Sequence, residues 1–188
     1  DFLDEMNVPA FKVASFESND TVLVNYIASK GKPVLMSTGM ATLAQVDAAV
    51  TSARAGAGKP DNLLLFKCVS AYPAPAKSIN LRTIPHMREA FGVPVGFSDH
   101  TLGIAVAPAA VAIGACAIEK HVTLSRADGG PDAEFSVEID EFEAMVQQIR
   151  MVDEAVGEVH YGPTDSEQAS LAFRRSLIVT EDLPAGSI

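Results

Sequence analysis

The stretch VGFSDHTLGIAVAPAAVAIGACAIEKH, residues 95–121, contains two short apolar runs that each end on a histidine, His100 and His121. Between them lies an alanine-rich segment interrupted by Gly103, Pro108 and Gly114. The 17 apolar residues from Leu102 to Ile118 fall just short of a membrane span and are broken by that proline. They read as a buried helix followed by a buried strand. Strand, helix and strand in this order form a parallel unit, and the 21-residue spacing of the histidines accommodates one helical return. Residues at equivalent heights on adjacent parallel strands stand about 5 Å apart. The two imidazoles are therefore expected to converge at one rim.

The same unit repeats upstream. FKVAS from Phe11, PVLMS from Pro33, NLLLFKCVS from Asn62, VPVGFS from Val93 and ACAIEKH from Ala115 read as strands buried on both faces. They begin about 22 to 32 residues apart, the spacing of repeated strand-helix units in a parallel sheet. The segment NDTVLVNYIASKG offers Asn19 or Asp20 as a cap and closes on Gly31. A second helix, TLAQVDAAVTSARAGAG, opens with Thr42 and Gln45 at capping-box spacing. INLRTIPHMREAF is helical in pattern but interrupted by Pro85. A polar loop, SRADGGPDAEFSVEID, precedes a longer helix from about Asp140 to Val156, with Phe142, Met145, Val146, Ile149 and Val156 as its apolar stripe. GEVHYGPTDSEQAS reads as a linker with a second helix start at Thr164 and Glu167, and RRSLIVTEDLPAGSI turns β-like.

Five such units fit an open doubly wound sheet or part of a (β/α)8 barrel. No glycine-rich phosphate fingerprint follows any strand, which weakens the dinucleotide-binding alternative. In a barrel, reactive side chains gather at the C-terminal ends of the strands, and polar residues stand at all five ends here.

Composition sets outer bounds. The 188 residues are 48% hydrophobic, enough for a sizeable core. A net charge of −10 argues against nucleic-acid binding, which needs clustered basic residues. Cys68 and Cys116 sit in apolar runs and read as reduced, buried thiols of a cytoplasmic protein. The opening DFLDEMNVPA has neither the basic start nor the apolar stretch of a signal peptide, and no membrane association is expected.

The strand ends supply the candidate chemistry. Lys12, if inward, needs an anionic partner, either Glu17 in a structural pair or a bound phosphate or carboxylate. Ser15 and Glu17 fall in the turn after that strand. Ser37, Thr38 and Gly39 form either an anion site before a helix N-terminus or an ordinary turn. Ser70 and Tyr72 are placed to reach a ligand, with Pro73 and Pro75 stiffening their loop. His100 and His121 are either two satisfied core histidines or, as their pairing favours, ligands of one divalent metal, with Asp99 and Glu119 beside them to orient the rings. Asp132, in GGPD, assists the metal, acts as a base or makes an Asx turn. His86 and His160 carry no comparable signal.

Taken in order, FKVASFE, KPVLMSTGMATL, KCVSAYPAP, VPVGFSDHTLGIAV and IEKHVTLSRADGGPDAEFS resemble the sialic acid synthase family, whose members condense phosphoenolpyruvate with an amino sugar. SAYPAP, GFSDHT and SRADGGPDAEFSVE look most like the pseudaminic acid synthase branch, since N-acetylneuraminate synthases tend to have Asn at Ser70 and Arg at Lys120. The resemblance implies that Lys12, Ser15, Ser37, Ser70, Tyr72 and Ser98 surround phosphoenolpyruvate. It further implies that His100 and His121 hold Mn2+ or Mg2+ as the cofactor. Glu17, Lys12 and Asp132 become the catalytic candidates. The implied product is pseudaminic acid, made from 2,4-diacetamido-2,4,6-trideoxy-altrose, with N-acetylneuraminate or legionaminic acid as sibling alternatives.

The implied fold is α/β, a partial TIM (β/α)8 barrel holding about strands 4–8 in residues 1–157. A linker at 158–173 and the start of a small β-rich antifreeze-like (SAF) domain at 174–188 follow. A whole barrel takes about 250 residues and eight strands, so this chain reads as a fragment with two open sheet edges. By resemblance the whole protein is a homodimer whose C-terminal domain crosses to the other subunit. A non-catalytic half barrel is the contrasting expectation.

Overall fold

The computed structural model describes residues 1–57 and 62–186, divided into two compact units, Asp1–Val156 and Gly157–Ile188. In the first unit a short helix α1 (Phe2–Glu5) precedes β1 (Phe11–Val13), α2 (Thr21–Ala28), β2 (Val34–Ser37), α3 (Leu43–Ala57) and β3 (Leu63–Cys68). Then come α4 (Thr83–Phe91), β4 (Val95–Asp99), α5 (Val106–Ala112), β5 (Ile118–Lys120) and α6 (Ile139–Val156). All five predicted strands form. They pair in the spatial order β1-β2-β3-β4-β5, every pair parallel. A doubly wound sheet reverses its order at a switch point. This one never does, so it is a sector of a singly wound barrel.

Register explains which side chains face the site. Val13, Met36, Leu65, Val95 and Phe97 are fully buried and pack against Val24, Val50, Ile84 and Ala110 of the helices. The period of two sends the alternate residues Lys12, Ser37, Phe66, Cys68, Ser98 and Glu119 to the opposite, inner face. His100 and His121 continue that parity one residue beyond their strands.

Local signals place the helices. Asp20 Oδ1 accepts from Val22 N at 3.1 Å and Leu23 N at 3.0 Å, capping α2. Gln45 Oε1 accepts from Thr42 N at 2.8 Å and closes the predicted capping box of α3. Gly58, the end of that predicted stretch, lies outside the described residues. Pro85 does not break α4, because it is the third helical residue, where no intrahelical donor is lost. The helix ends on Gly92 at φ 60°, a left-handed C-cap.

Three expectations change. Of the α6 stripe only Met145 is buried; Phe142, Val146 and Ile149 line a cleft of about 300 Å³ beside the open edge of β5. Cys116 lines the same cleft and is exposed, whereas Cys68 is buried as expected. The β-like run Leu177–Val179 is exposed and forms no strand among the described residues of 174–186. An isolated run has no ladder to satisfy its backbone groups, so β-propensity alone does not make it a strand; Ser187 and Ile188 lie outside the described residues. In the second unit Glu167 Oε2 accepts from Thr164 N at 2.8 Å, and the predicted helix start opens a 3-10 helix, Asp165–Phe173. Among the described residues no helix is long and apolar enough to cross a membrane.

Candidate active site

The ends of β4 and β5 bring His100 and His121 together with ring centroids 5.2 Å apart. His100 is 6% exposed, and its Nδ1 donates to the Val69 carbonyl at 2.8 Å. A carbonyl only accepts, so Nδ1 carries a proton. Ser98 Oγ lies 3.5 Å from Nε2 of the same ring. His121 Nδ1 stands 3.5 Å from Asp132 Oδ2, on the loop before α6. Tyr72 packs on His100 at 4.3 Å between centroids, and Phe135 on His121 at 5.0 Å, walling the pair with rings. Burial, helped by His100, pushes the His121 imidazolium below its ordinary pKa, which keeps its ring neutral near pH 7. At His100 burial acts the same way but is outweighed by Cys68 and the Val69 carbonyl, which raise it.

Lys12 projects from β1 across the inner face and pairs with Glu119 of β5, Nζ to Oε2 3.0 Å. Glu119 Oε1 also accepts from Ser98 Oγ at 2.9 Å. The ammonium is therefore paired, but not with Glu17. It is also not buried: 33% of the side chain is exposed, because this sector leaves the inner face uncovered. Glu17 folds back to accept from Ala14 N at 3.1 Å at the start of its own 3-10 turn, and no contact joins it to the histidines.

A second cluster lies at the ends of β1, β2 and β3. Ser15 Oγ accepts from Gly39 N at 3.1 Å. A Cβ built on Gly39 would collide with the hydroxyls of both Ser15 and Ser70, so the three residues are in direct contact. Ser37 Oγ and Ser70 Oγ are buried without any hydrogen-bond partner. Buried hydroxyls are ordinarily satisfied, and two orphans near the ends of the adjacent strands β2 and β3 fit a polar ligand.

Asp99 does not orient a ring. One residue out of phase with His100, it points to the helix side and pairs with Lys120, Oδ2 to Nζ 3.0 Å, while Thr101 N donates to Oδ1. Glu119 likewise serves Lys12 and Ser98 rather than an imidazole. Its inward direction, though not its partners, was signalled by parity, since it lies two residues before His121 and so shares its face. Phe135 carried no signal in the sequence.

A divalent metal fits the histidine pair on donor chemistry: two imidazoles converge, with a carboxylate beside one of them. Among the described residues no group of three or more His, Cys, Asp or Glu forms a metal cage, so the pair supplies only part of a coordination shell.

The sequence pattern of the NeuB family matches residues 1–161. The chain belongs to the NeuB family. Among NeuB-related proteins it is 37% identical over 189 residues to N,N'-diacetyllegionaminic acid synthase of Campylobacter jejuni, covering all of this chain and 57% of that protein. It is 38% identical over 191 residues to a pseudaminic acid synthase of the same species, covering all of this chain and 54% of that one. The solved N-acetylneuraminic acid synthetase of Leptospira borgpetersenii superposes with a TM-score of 0.82 at 33% identity, covering 93% of this chain and 60% of its own. The chain thus spans about half the length of the curated NeuB relatives it matches.

Proposed function

We propose that this chain is the later part of a synthase barrel that condenses phosphoenolpyruvate with 2,4-diacetamido-2,4,6-trideoxy-altrose and water, giving pseudaminic acid and phosphate. The observation that carries the reading is the pairing of two orphaned buried hydroxyls, Ser37 and Ser70, with the convergent histidines His100 and His121. Lys12, Ser15, Ser37, Ser70, Tyr72 and Ser98 hold the phosphate and carboxylate of phosphoenolpyruvate, with Lys12 exchanging Glu119 for the incoming anion. Such prepositioned donors stabilise the charge that shifts as the bonds rearrange.

The π pair between C2 and C3 of phosphoenolpyruvate forms the new carbon–carbon bond to the sugar aldehyde, whose oxygen takes a proton. Water adds at C2 and gives up one proton; the C2–O bond to phosphate then breaks with its electron pair leaving on phosphate, while the C2 hydroxyl gives up its proton and becomes the ketone carbonyl. Glu17 and Asp132 are the proposed acid and base for these transfers. His100 and His121 would hold Mn2+ or Mg2+, which when bound would supply Lewis acidity toward the aldehyde oxygen. The whole protein is proposed to be a homodimer, with residues 174–188 opening an antifreeze-like domain. Legionaminic acid or N-acetylneuraminate synthesis is the second reading, supported by the near-equal identities of 37% to a legionaminic acid synthase and 38% to a pseudaminic acid synthase.

The test is phosphate release by the full-length protein with manganese, offered the diacetamido altrose, its legionaminic-type counterpart or N-acetylmannosamine separately. Release with the altrose alone supports the first reading, and release with another sugar supports the second. No release with any of them sinks both. His100→Ala is expected to lower manganese affinity, read by calorimetry, about tenfold or more together with turnover.

A further inference from the structure

The outer, helix-covered face of the sheet holds two lysines among the described residues that the site does not use: Lys120, paired with Asp99, and Lys67, which has no such partner. Lys67 alternates with Phe66 and Cys68 on β3 and so points away from the candidate active site, toward α3 and α4. There it lines a cleft of about 310 Å³, walled by Leu43, Val46, Met87 and Phe91, with Thr38, Thr83 and His86 as polar points. That volume lies at the lower end of small-molecule sites. The chain carries a net charge of −10, yet no Asp or Glu lines this cleft. Lys67 Nζ donates to the Cys68 carbonyl at 3.0 Å, and among the described residues no carboxylate lies within ion-pair distance of it. Burial pushes its ammonium below the ordinary lysine pKa, as expected for a half-buried cation without a counter-ion.

We propose that this cleft is a second binding site, for a small monocarboxylate with a short apolar tail. The carboxylate pairs with Lys67 and the tail lies against Leu43, Val46, Met87 and Phe91. A neutral apolar ligand would leave the ammonium unpaired, and a highly charged one would have too few donors. The site backs directly on the candidate active site: Thr38 follows the orphaned Ser37, and Cys68, whose Sγ is 3.8 Å from His100 Nδ1, lines the cleft as well. Occupancy is therefore expected to bear on Ser37 and His100 through two backbone segments, independently of which sugar the enzyme uses.

Octanoate is a suitable probe, with octanol as its neutral counterpart, each titrated calorimetrically into the full-length protein. Octanoate is expected to bind the wild type and to bind K67M about tenfold more weakly, the loss of one charge-assisted contact. Octanol should not distinguish the two. Leu43→Glu places a carboxylate at the exposed mouth without touching the core and is expected to weaken octanoate similarly, which guards against misfolding of K67M. Equal octanoate binding by wild type, K67M and L43E overturns the proposal, as does no binding by the wild type. Displacement of octanoate by phosphoenolpyruvate also overturns it, by assigning the probe to the active site. K67M retaining phosphate release without octanoate keeps the two readings separate.

Discussion

Gly39 shows how a single atom constrains the candidate site. Its backbone is not in the left-handed region, so alanine there meets no conformational strain. The added methyl must instead displace the Ser15 and Ser70 hydroxyls. Gly39→Ala is thus expected to raise the KM for phosphoenolpyruvate about tenfold, with kcat and melting temperature less affected. An unchanged KM would separate the serine cluster from phosphoenolpyruvate binding. On the other face of the sheet, Asp99 and Lys120 are 0% and 1% exposed. Removing one member of a buried pair costs about 3 kcal/mol or more, because the other stays charged and unmatched. Lys120→Met is therefore expected to lower the denaturant midpoint, and Asp99→Asn added to it to restore part of the loss. Parity made the inward set legible from sequence: Lys12, Ser98, His100 and His121 all fall where the period of two sends them. The partner of Lys12 was not legible. Glu119 is 107 residues away, and only the closing of the sheet brings it near.

At the scale of the element, α6 depends on a clamp at its first turn. Glu141 reaches back to Glu138 N at 2.8 Å and takes both Arg126 guanidinium nitrogens, at 2.5 and 3.1 Å. Arg126 Nη1 also donates to the Ser136 carbonyl at 3.0 Å, tying down the loop that carries Asp132. The Arg126 side chain, then the Glu138 amide, hold the Glu141 carboxyl down at about 2. A carboxyl lowered in the folded state stabilises it fully above its unfolded pKa, near 4.5, and loses that contribution as the pH falls toward about 2. Glu141→Gln is thus expected to cost up to about 1 kcal/mol at pH 6, a modest figure because the pair is partly exposed. The gap from wild type should narrow between about pH 4.5 and 2, followed by urea denaturation at each pH. A gap independent of pH would mean that the amide loses packing rather than charge. Helix starts such as Asp20 and Thr42 were readable because a cap is a local code of four residues. The Arg126 clamp was not, since it joins a loop to a helix 15 residues on.

The first unit, Asp1–Val156, is a barrel sector with one finished face and one unfinished one. Its helix side is closed by Val13, Leu65, Phe97 and their partners, which is why strand spacing was enough to read a parallel α/β sheet, while the choice of a barrel needed the polar strand ends and the family resemblance. Its inner side is open: Lys12 is a third exposed, His121 nearly so, and β1 and β5 each present an unpaired edge. A small ligand is ordinarily buried over most of its surface, and a sector that covers it from one side cannot exclude water or fix it for attack. Misplacement of about 1 Å already costs roughly a hundredfold in rate. The 188-residue chain alone is therefore expected to release phosphate at least about a hundredfold more slowly than the full-length protein. It should also associate in a concentration-dependent way through its edges, read by light scattering. Full-rate turnover by a monodisperse 188-residue chain would show that these five strands hold a complete site, and the reading of the inner face as one side of a larger site would fall.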